Sequence, residues 1–103
     1  MDLSAELSPR SELRRTSREP VSTSAALRGG STRALADVLD LSIQGARLST
    51  ADPLIVGSQI SLKLPLAEAL EAKVVWVDRF QAGCEFSKPL HPAVFRMVLH
   101  SAS

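Results

Sequence analysis

The clearest pattern along the chain is an alternation of apolar and polar residues in the segment SQISLKLP. Ile60, Leu62 and Leu64 alternate there with Ser61 and Lys63. A period of two places successive side chains on opposite faces of an extended chain. The segment therefore predicts a strand with one buried face and one solvated face.

A second strand is predicted by composition as well as by pattern. The segment EAKVVWVD, residues 71–78, is rich in the β-branched and aromatic residues that are enriched in strands. Since Val74 and Trp76 are two residues apart, we expect their side chains to share one face of the strand. Trp76 is then expected either in the core or at the edge of a pocket.

Four further strands are predicted from weaker alternation between turn residues. They lie at residues 21–28, 32–42, 45–49 and 82–86. The glycine-containing segments at 29–31 and 50–57 are typical of a turn and a loop. Residues 66–70 are expected to form a short helical turn or an irregular crossing. The chain thus predicts about six short strands.

The hydrophobic period changes near the C-terminus. Val94, Phe95, Val98 and Leu99 fall at the three- and four-residue spacing of a helix, which we expect at about residues 91–100. About six antiparallel strands followed by one C-terminal α-helix predict an all-β barrel, with the helix covering one open end or face.

Length and charge narrow the class of protein further. The chain has 103 residues, which suits one small domain. Its formal net charge is +1, from 12 basic and 11 acidic residues. A protein that coats nucleic acid needs a clear basic excess, so we expect no nucleic-acid partner. Nine of the basic residues are arginines, which suit forked hydrogen bonding to phosphates and guanine edges.

The N-terminal segment differs in composition from the rest. Residues 1–19 hold four arginines and four acidic residues but no aromatic residue, a composition typical of segments that are poorly ordered in the free protein. We expect residues 1–13 to form a flexible tail. The sequence shows no signal-type apolar run, no segment of membrane-spanning length and a single cysteine, Cys84. A cytoplasmic protein without membrane insertion is therefore expected.

No catalytic or metal-binding constellation is visible in the sequence. His91 and His100 have no cysteine or carboxylate at metal-ligand spacing, so we expect surface or capping histidines. Cys84 lies in a predicted strand and is expected to be a small core residue. No nucleophile is paired with a base, and no glycine-rich segment resembles a phosphate-binding loop. We expect neither enzymatic activity nor a metal or cofactor.

Arginines cluster just ahead of the first predicted strand. Arg14 and Arg18 form an R-x-x-x-R spacing, which overlaps a second one between Arg10 and Arg14. In an extended chain, residues four apart point the same way and lie roughly 13 Å apart. Two guanidinium forks at that distance fit a ligand with two phosphates or two guanines. Taken alone, such a spacing is more often a solvated charge cluster.

The segment DLSIQG, residues 40–45, ends the second predicted strand. Asp40 and Ser42 are two residues apart, so we expect them to share a face. An aspartate carboxylate can accept hydrogen bonds from the pairing edge of a guanine, and a serine hydroxyl can donate or accept. Gly45 permits a positive φ and a close approach of a ligand to the backbone. Taken alone, the segment is more often a turn stapled by its Asp and Ser side chains.

Together and in this order, the two motifs resemble those of the PilZ domain family. That family pairs R-x-x-x-R before the first strand with [D/N]-x-S-x-x-G after the second, here Arg14-x-x-x-Arg18 and Asp40-x-Ser42-x-x-Gly45. The segments GARL, VGSQISLKLP and AKVVWVDRFQAGCEF are also similar to the family's following strands and late hairpin.

The resemblance covers about residues 12–100 and implies a β-barrel domain at 14–100, with the arginine motif at its N-terminal edge. It also implies a ligand, the bacterial second messenger cyclic di-GMP. The residues that the resemblance places at this ligand, with Arg15 added because it adjoins the motif, are Arg14, Arg15, Arg18, Asp40, Ser42 and Gly45.

The function implied by the resemblance is that of a cytoplasmic binding module that senses cyclic di-GMP. In this hypothesis the ligand orders the arginine segment against the barrel and so alters a surface that binds a downstream protein. The alternative is a PilZ-like adaptor that works through protein contacts and binds no nucleotide.

Overall fold

Six antiparallel strands close into a barrel in this computed structural model, which describes residues 18–30 and 32–102. The strands are β1 (Glu19–Gly29), β2 (Thr32–Leu41), β3 (Gly45–Thr50), β4 (Gln59–Lys63), β5 (Leu70–Asp78) and β6 (Gln81–Phe86). They are hydrogen-bonded in the order β1-β2-β3-β6-β5-β4, and β4 closes the barrel onto β1. The predicted all-β barrel is confirmed. The tail predicted at residues 1–13 lies outside the described residues.

The alternation seen in the sequence becomes the inner wall of the barrel. Ile60 and Leu62 of β4 are buried, whereas Lys63 between the buried Leu62 and Leu64 is exposed. The same rule holds around the barrel except at bulges, because a regular strand sends every second side chain inward. The buried apolar residues are Ala25, Leu27, Ala36, Val38, Leu41, Ala46, Leu48, Ile60, Leu62, Leu64, Ala72, Val74, Ala82, Cys84, Phe86, Leu90 and Val98.

The C-terminal helix, α1 (Pro92–Ala102), confirms the helix predicted at about 91–100. It buries Val98 completely and packs its half-buried Val94 and Phe95 against the barrel core. The imidazole Nδ1 of His91 accepts a hydrogen bond from the Ala93 N–H over 3.0 Å. That bond satisfies one of the free N–H groups at the helix start, so the expected capping role is confirmed for His91. Among the described residues, no helix is long and apolar enough to cross a bilayer.

One prediction about β5 is wrong. Val74 is fully buried, but Trp76 lies on the outside of the barrel with 36% of its surface exposed. The register with β6 shifts between these two residues, since Val74 pairs with Cys84 and Trp76 pairs with the adjacent Gly83. A bulge of this kind inserts one residue and exchanges the faces beyond it. The indole then covers Gly83, where a Cβ atom would overlap the ring.

The connection between β4 and β5 is the irregular crossing that was one of the two expected forms. Residues 65–67 form a turn and a bend, and no helical residue is present between Leu64 and Leu70. Leu66 adopts a φ of 66°, a conformation that L-residues rarely adopt, and its side chain is exposed.

Candidate functional site

A row of outward-facing residues crosses four neighbouring strands of the barrel. Asp40 of β2 pairs with Arg47 of β3, Arg47 pairs with Gly83 of β6, and Gly83 pairs with Trp76 of β5. A bulge at Leu39 sets this register, because the β2–β3 pairing shifts between Val38 and Asp40. The row therefore places a carboxylate, a guanidinium and an indole side by side on one surface.

Asp40 binds two arginines from different parts of the chain. Its Oδ1 accepts from Arg18 Nη1 at 3.0 Å, and its Oδ2 accepts from Arg47 Nε at 2.8 Å. The Asp40 side chain is only 13% exposed, whereas those of Arg18 and Arg47 are 50% and 40% exposed. The carboxylate thus anchors the pair, and both guanidinium groups remain open to solvent. We call Arg18, Asp40 and Arg47 the arginine–aspartate cluster.

Arg47 was not among the residues predicted for the site. Besides its bond to Asp40, its Nη1 donates to Oε1 of Gln81 over 3.3 Å. These two bonds hold the guanidinium along the surface of β3 and β6. The sequence did carry one signal, since Arg47 lies between the buried Ala46 and Leu48 and must face outward. Its pairing with Asp40 depends on the bulge at Leu39, which no sequence pattern marks.

The hydroxyl of Ser42 is used inside the turn that connects β2 and β3. It donates to the carbonyl oxygen of Gly45 at 3.3 Å and accepts from the N–H groups of Gln44 and Gly45 at 3.2 and 3.1 Å. A hydroxyl has one donor and two acceptor positions, so Ser42 is fully satisfied and is buried. In the structure Ser42 fixes the turn that follows β2, next to Asp40. A contact between Ser42 and a ligand stays a prediction.

Gly45 is required by the packing of two strands. Its φ is not positive, and a Cβ atom at this position would overlap the carbonyl oxygen of Cys84 on β6. The backbone of β6 therefore leaves no room for a side chain at this position, and a ligand contact at Gly45 stays a prediction. The neighbouring N–H of Phe86 also donates to the carbonyl oxygen of Gln44 at 2.8 Å. This close approach joins the turn to β6.

The predicted site residues are thus brought together only in part. Arg18 and Asp40 are in direct contact, while Ser42 and Gly45 hold the turn beside them. Arg14 and Arg15 lie outside the described residues, so their contacts with a ligand stay a prediction.

The comparisons with known proteins agree with this architecture. The model of the PilZ domain family matches residues 12–100 of the chain. This chain belongs to the PilZ domain family.

Among solved structures, the chain is similar to the crystal structure of the PilZ domain of CeSA from a cellulose-synthesizing bacterium. The two share 17% sequence identity with a TM-score of 0.61, over 82% of this chain and 96% of that one. At this identity the similarity shows the fold alone. No curated protein matches the chain.

PilZ domains are known as binding domains for cyclic di-GMP. Among the residues described in this PilZ domain, no group of three or more His, Cys, Asp or Glu could hold a metal ion.

Cys84 of this PilZ domain behaves as the core residue that was predicted. Its side chain is buried in the barrel beside Val74. Desolvation by burial raises the pKa of the thiol from 9.0 to about 11, although a backbone hydrogen bond with Ala46 and the charge of Arg18 lower it slightly. A thiol with a raised pKa carries little thiolate at neutral pH, which does not suit a nucleophile.

This raised pKa predicts a loss of stability at alkaline pH. Between pH 9 and about 11 the unfolded chain releases the Cys84 proton while the folded chain keeps it. Ionisation then favours the unfolded state, so the free energy of unfolding falls as the pH rises. From pH 8 to pH 10 the contribution is about 1 kcal/mol. Urea unfolding of the wild type and of Cys84→Ala should show the steeper decline in the wild type; parallel curves would contradict the assignment.

Proposed function

We propose that this PilZ domain is a receptor for cyclic di-GMP and binds it on the outer face of the barrel, at the arginine–aspartate cluster. The observation that carries the proposal is the geometry of Asp40, whose two carboxylate oxygens bind Arg18 Nη1 at 3.0 Å and Arg47 Nε at 2.8 Å. Two guanidinium groups fixed on one surface suit a ligand that presents two phosphates and two guanines.

The cluster has donors to spare for such a ligand. A guanidinium carries five N–H groups. Within the described part of the chain, Arg47 uses one for Asp40 and one for Gln81, which leaves three. Arg18 uses one there for Asp40, which leaves four. Forked pairs of these donors match the oxygens of a phosphate or the O6/N7 edge of a guanine. The exposed side chains can therefore bind the ligand without first breaking their bonds to Asp40.

The carboxylate also has acceptor positions to spare. Two oxygens offer about four lone-pair sites, and the two arginines occupy two of them. Asp40 can then accept from the pairing edge of a guanine while it still holds both arginines. In this arrangement Asp40 both supports the two cations and selects a base with adjacent N–H donors.

The arginine motif before β1 supplies the rest of the proposed site. Arg18 is joined to Asp40 at the cluster, and Arg14 and Arg15 lie only three and four residues before it in the sequence. In this proposal Arg14 and Arg15 bind the same ligand, and their contacts would fix the segment against the barrel. Ligand binding would then change the surface that a downstream protein meets. Such coupled ordering lowers the affinity by the entropy that the segment loses.

Calorimetric titration with cyclic di-GMP tests the proposal. We expect the wild type to bind and Arg18→Ala and Arg47→Ala each to bind about tenfold to a hundredfold more weakly, since each loses a charge-assisted hydrogen-bond pair. Arg96→Ala is the matched control, because Arg96 lies exposed on α1. Equal affinity in the three variants would refute the site.

The alternative function is the adaptor that binds no nucleotide. It predicts that cyclic di-GMP releases no heat with the wild type and shifts no amide resonance near Asp40 or Arg47. That result would leave the family assignment intact and would contradict the proposed receptor.

A further inference from the structure

An open groove lies between α1 and the crossing that joins β4 to β5. It encloses a volume of about 570 Å³. Its lining residues are Leu66 of the crossing and Ala93, Arg96, Met97, His100 and Ser101 of α1. Because β4 runs antiparallel to β1 and ends at Lys63, opposite Ala26, the crossing lies toward the start of β1. The groove is therefore on the side of the barrel at which β1 begins.

The groove exposes apolar side chains from both of its walls. Leu66 is 61% exposed and Met97 is 47% exposed. Leu66 also has a φ of 66°, a left-handed conformation that is unfavourable for a residue with a Cβ atom. Its side chain gains no burial in return, since it lies outside the core of the barrel. Exposed apolar side chains in a concave surface are typical of a docking site.

Arg96 places a positive charge in the same groove. Among the described residues, its guanidinium has no ion pair or hydrogen bond, and no aspartate or glutamate lines the groove. An exposed cation beside an apolar surface favours an occupant that carries both a carboxylate and large apolar side chains. The same surface disfavours a basic occupant.

The N-terminal segment of the chain is joined to the barrel on this side. Residues 1–17 lie outside the described residues, and residue 17 is bonded to Arg18, which directly precedes β1. Helix α1 contacts β1, which brings the groove near this junction. Leu7 lies eleven residues before Arg18, and an extended chain of that length spans at most about 40 Å. The segment is therefore long enough to reach the groove.

The sequence of this segment matches the apolar and charged character of the groove. Leu3 and Leu7 are four residues apart, and so are Asp2 and Glu6. On a helix each pair shares one face, and the two faces are adjacent. Pro9 would end such a helix, because a proline disfavours helical geometry in the residue before it. The sequence thus predicts a short helix with an apolar face beside an acidic one.

We propose that the groove on α1 is the docking site of the chain's own segment at residues 2–7, folded there as a short amphipathic helix. The two leucines of the segment would pack against Leu66 and Met97. Glu6 would pair with Arg96. The helix would form only on the groove, since a helix of this length is unstable alone.

Covalent attachment makes this weak contact effective. Two leucines and one exposed ion pair on an open groove would give a separate peptide an affinity of only about 1 mM. A short flexible linker gives an effective concentration of the same order, about 1 mM. The segment would then be docked about half of the time, which agrees with the poor order predicted for residues 1–13. A separate protein far below this concentration would occupy the groove much less.

Paramagnetic broadening in the full chain tests the proposal. A nitroxide is attached through Ser4→Cys, which lies on neither of the two helix faces; Cys84 is buried and should not react, and a mass spectrum checks this. In amide spectra of the ¹⁵N-labelled chain, the resonances of Leu66 and Met97 should lose most of their intensity. The resonances of the β1–β2 hairpin tip, residues 28–33, should keep theirs. Reduction of the nitroxide should restore all signals.

Matched variants of the labelled chain separate the apolar contact from the charged one. Leu7→Ser should abolish the broadening on α1, whereas Leu13→Ser, the same change outside the docked segment, should not. Arg96→Glu should also abolish it, and Arg33→Glu at the hairpin tip should have no effect, since both residues are exposed and only Arg96 lines the groove. The charge exchange E6K/R96E should restore the broadening.

Three outcomes would overturn the proposal. They are no broadening on α1, equal broadening in Leu7→Ser and Leu13→Ser, and no recovery in E6K/R96E. Broadening on α1 of a ¹⁵N-labelled chain by a nitroxide on an unlabelled one would identify a second copy as the occupant and overturn the intramolecular form. Residues 8–13 separate the docked segment from Arg14, and no outcome here involves cyclic di-GMP, so failure leaves the receptor proposal standing.

Discussion

Replacing Asp40 by alanine is expected to weaken cyclic di-GMP binding about a hundredfold or more, beyond the tenfold to hundredfold loss expected for either arginine alone. The substitution removes a guanine acceptor and also releases Arg18 and Arg47, which Asp40 holds at 3.0 and 2.8 Å. Without their anchor, both exposed guanidinium groups must be ordered by the ligand itself. The affinity should therefore fall for two independent reasons.

Loss of the Asp40 carboxylate also has an opposite effect on the affinity. Removing Asp40 also removes a negative charge beside both arginines, which would strengthen binding of a phosphate. Exposed ion pairs contribute only about 0.2–1 kcal/mol each, however, whereas a bidentate contact to a base discriminates by about 1–3 kcal/mol. If the carboxylate contacts a guanine, the binding free energy lost with that contact exceeds the free energy gained in phosphate binding.

Calorimetry at two salt concentrations checks this result. Asp37→Ala is the matched control, because Asp37 faces outward on the same strand, is exposed and pairs with Ser49. Asp40→Asn keeps the shape of the side chain and should bind almost as poorly, as its amide cannot accept from two cations through both heavy atoms. Tighter binding by Asp40→Ala would show that Asp40 only neutralises the arginines.

Replacing Gly45 by alanine is expected to lower the free energy of unfolding by about 3 kcal/mol or more. The added Cβ would overlap the carbonyl oxygen of Cys84 and crowd its carbonyl carbon, and these atoms belong to backbone that cannot rotate away. Strands β3 and β6 must then separate. That movement weakens the hydrogen bond from the Phe86 N–H to the Gln44 carbonyl oxygen, which joins the turn to β6.

Urea unfolding measures this loss, with Gly29→Ala as the matched control. Gly29 also lies in a strand with a φ outside the positive region, but its added Cβ would meet a side-chain methyl of Ile60 at 3.3 Å. A methyl group can move by a few tenths of an ångström, so the control should lose about 1 kcal/mol or less. Equal losses in the two variants would show that β6 adapts to the alanine.

Most of the fold follows from patterns that are local in sequence. The alternation in Ile60, Leu62 and Leu64 predicted the inner face of β4, and all three side chains are buried. The change of period near Val94 and Val98 predicted α1. These predictions succeed because the direction of a side chain in a strand or helix depends only on backbone geometry.

Only those site residues that belong to short sequence motifs could be predicted. Asp40 and Arg18 were predicted from their motifs, and they form an ion pair at 3.0 Å. Arg47 was missed because its contact with Asp40 requires a bulge at Leu39, which shifts the pairing of β2 and β3. Trp76 was placed on the wrong face because β5 has a bulge after Val74. A bulge is set by the whole sheet, since one inserted residue must suit the pairing of both strands.

The sequence by itself determined that the chain folds as a small antiparallel barrel with one helix. It also contains the two motifs that resemble those of the PilZ family. The tertiary structure decided what several motif residues do. The Ser42 hydroxyl is hydrogen-bonded within the turn, and Gly45 lets the backbone of β6 approach closely. Asp40 binds both Arg18 and Arg47. The reason is physical: side-chain direction is fixed by local backbone geometry, whereas contacts between strands depend on register, and register is settled only when the barrel closes.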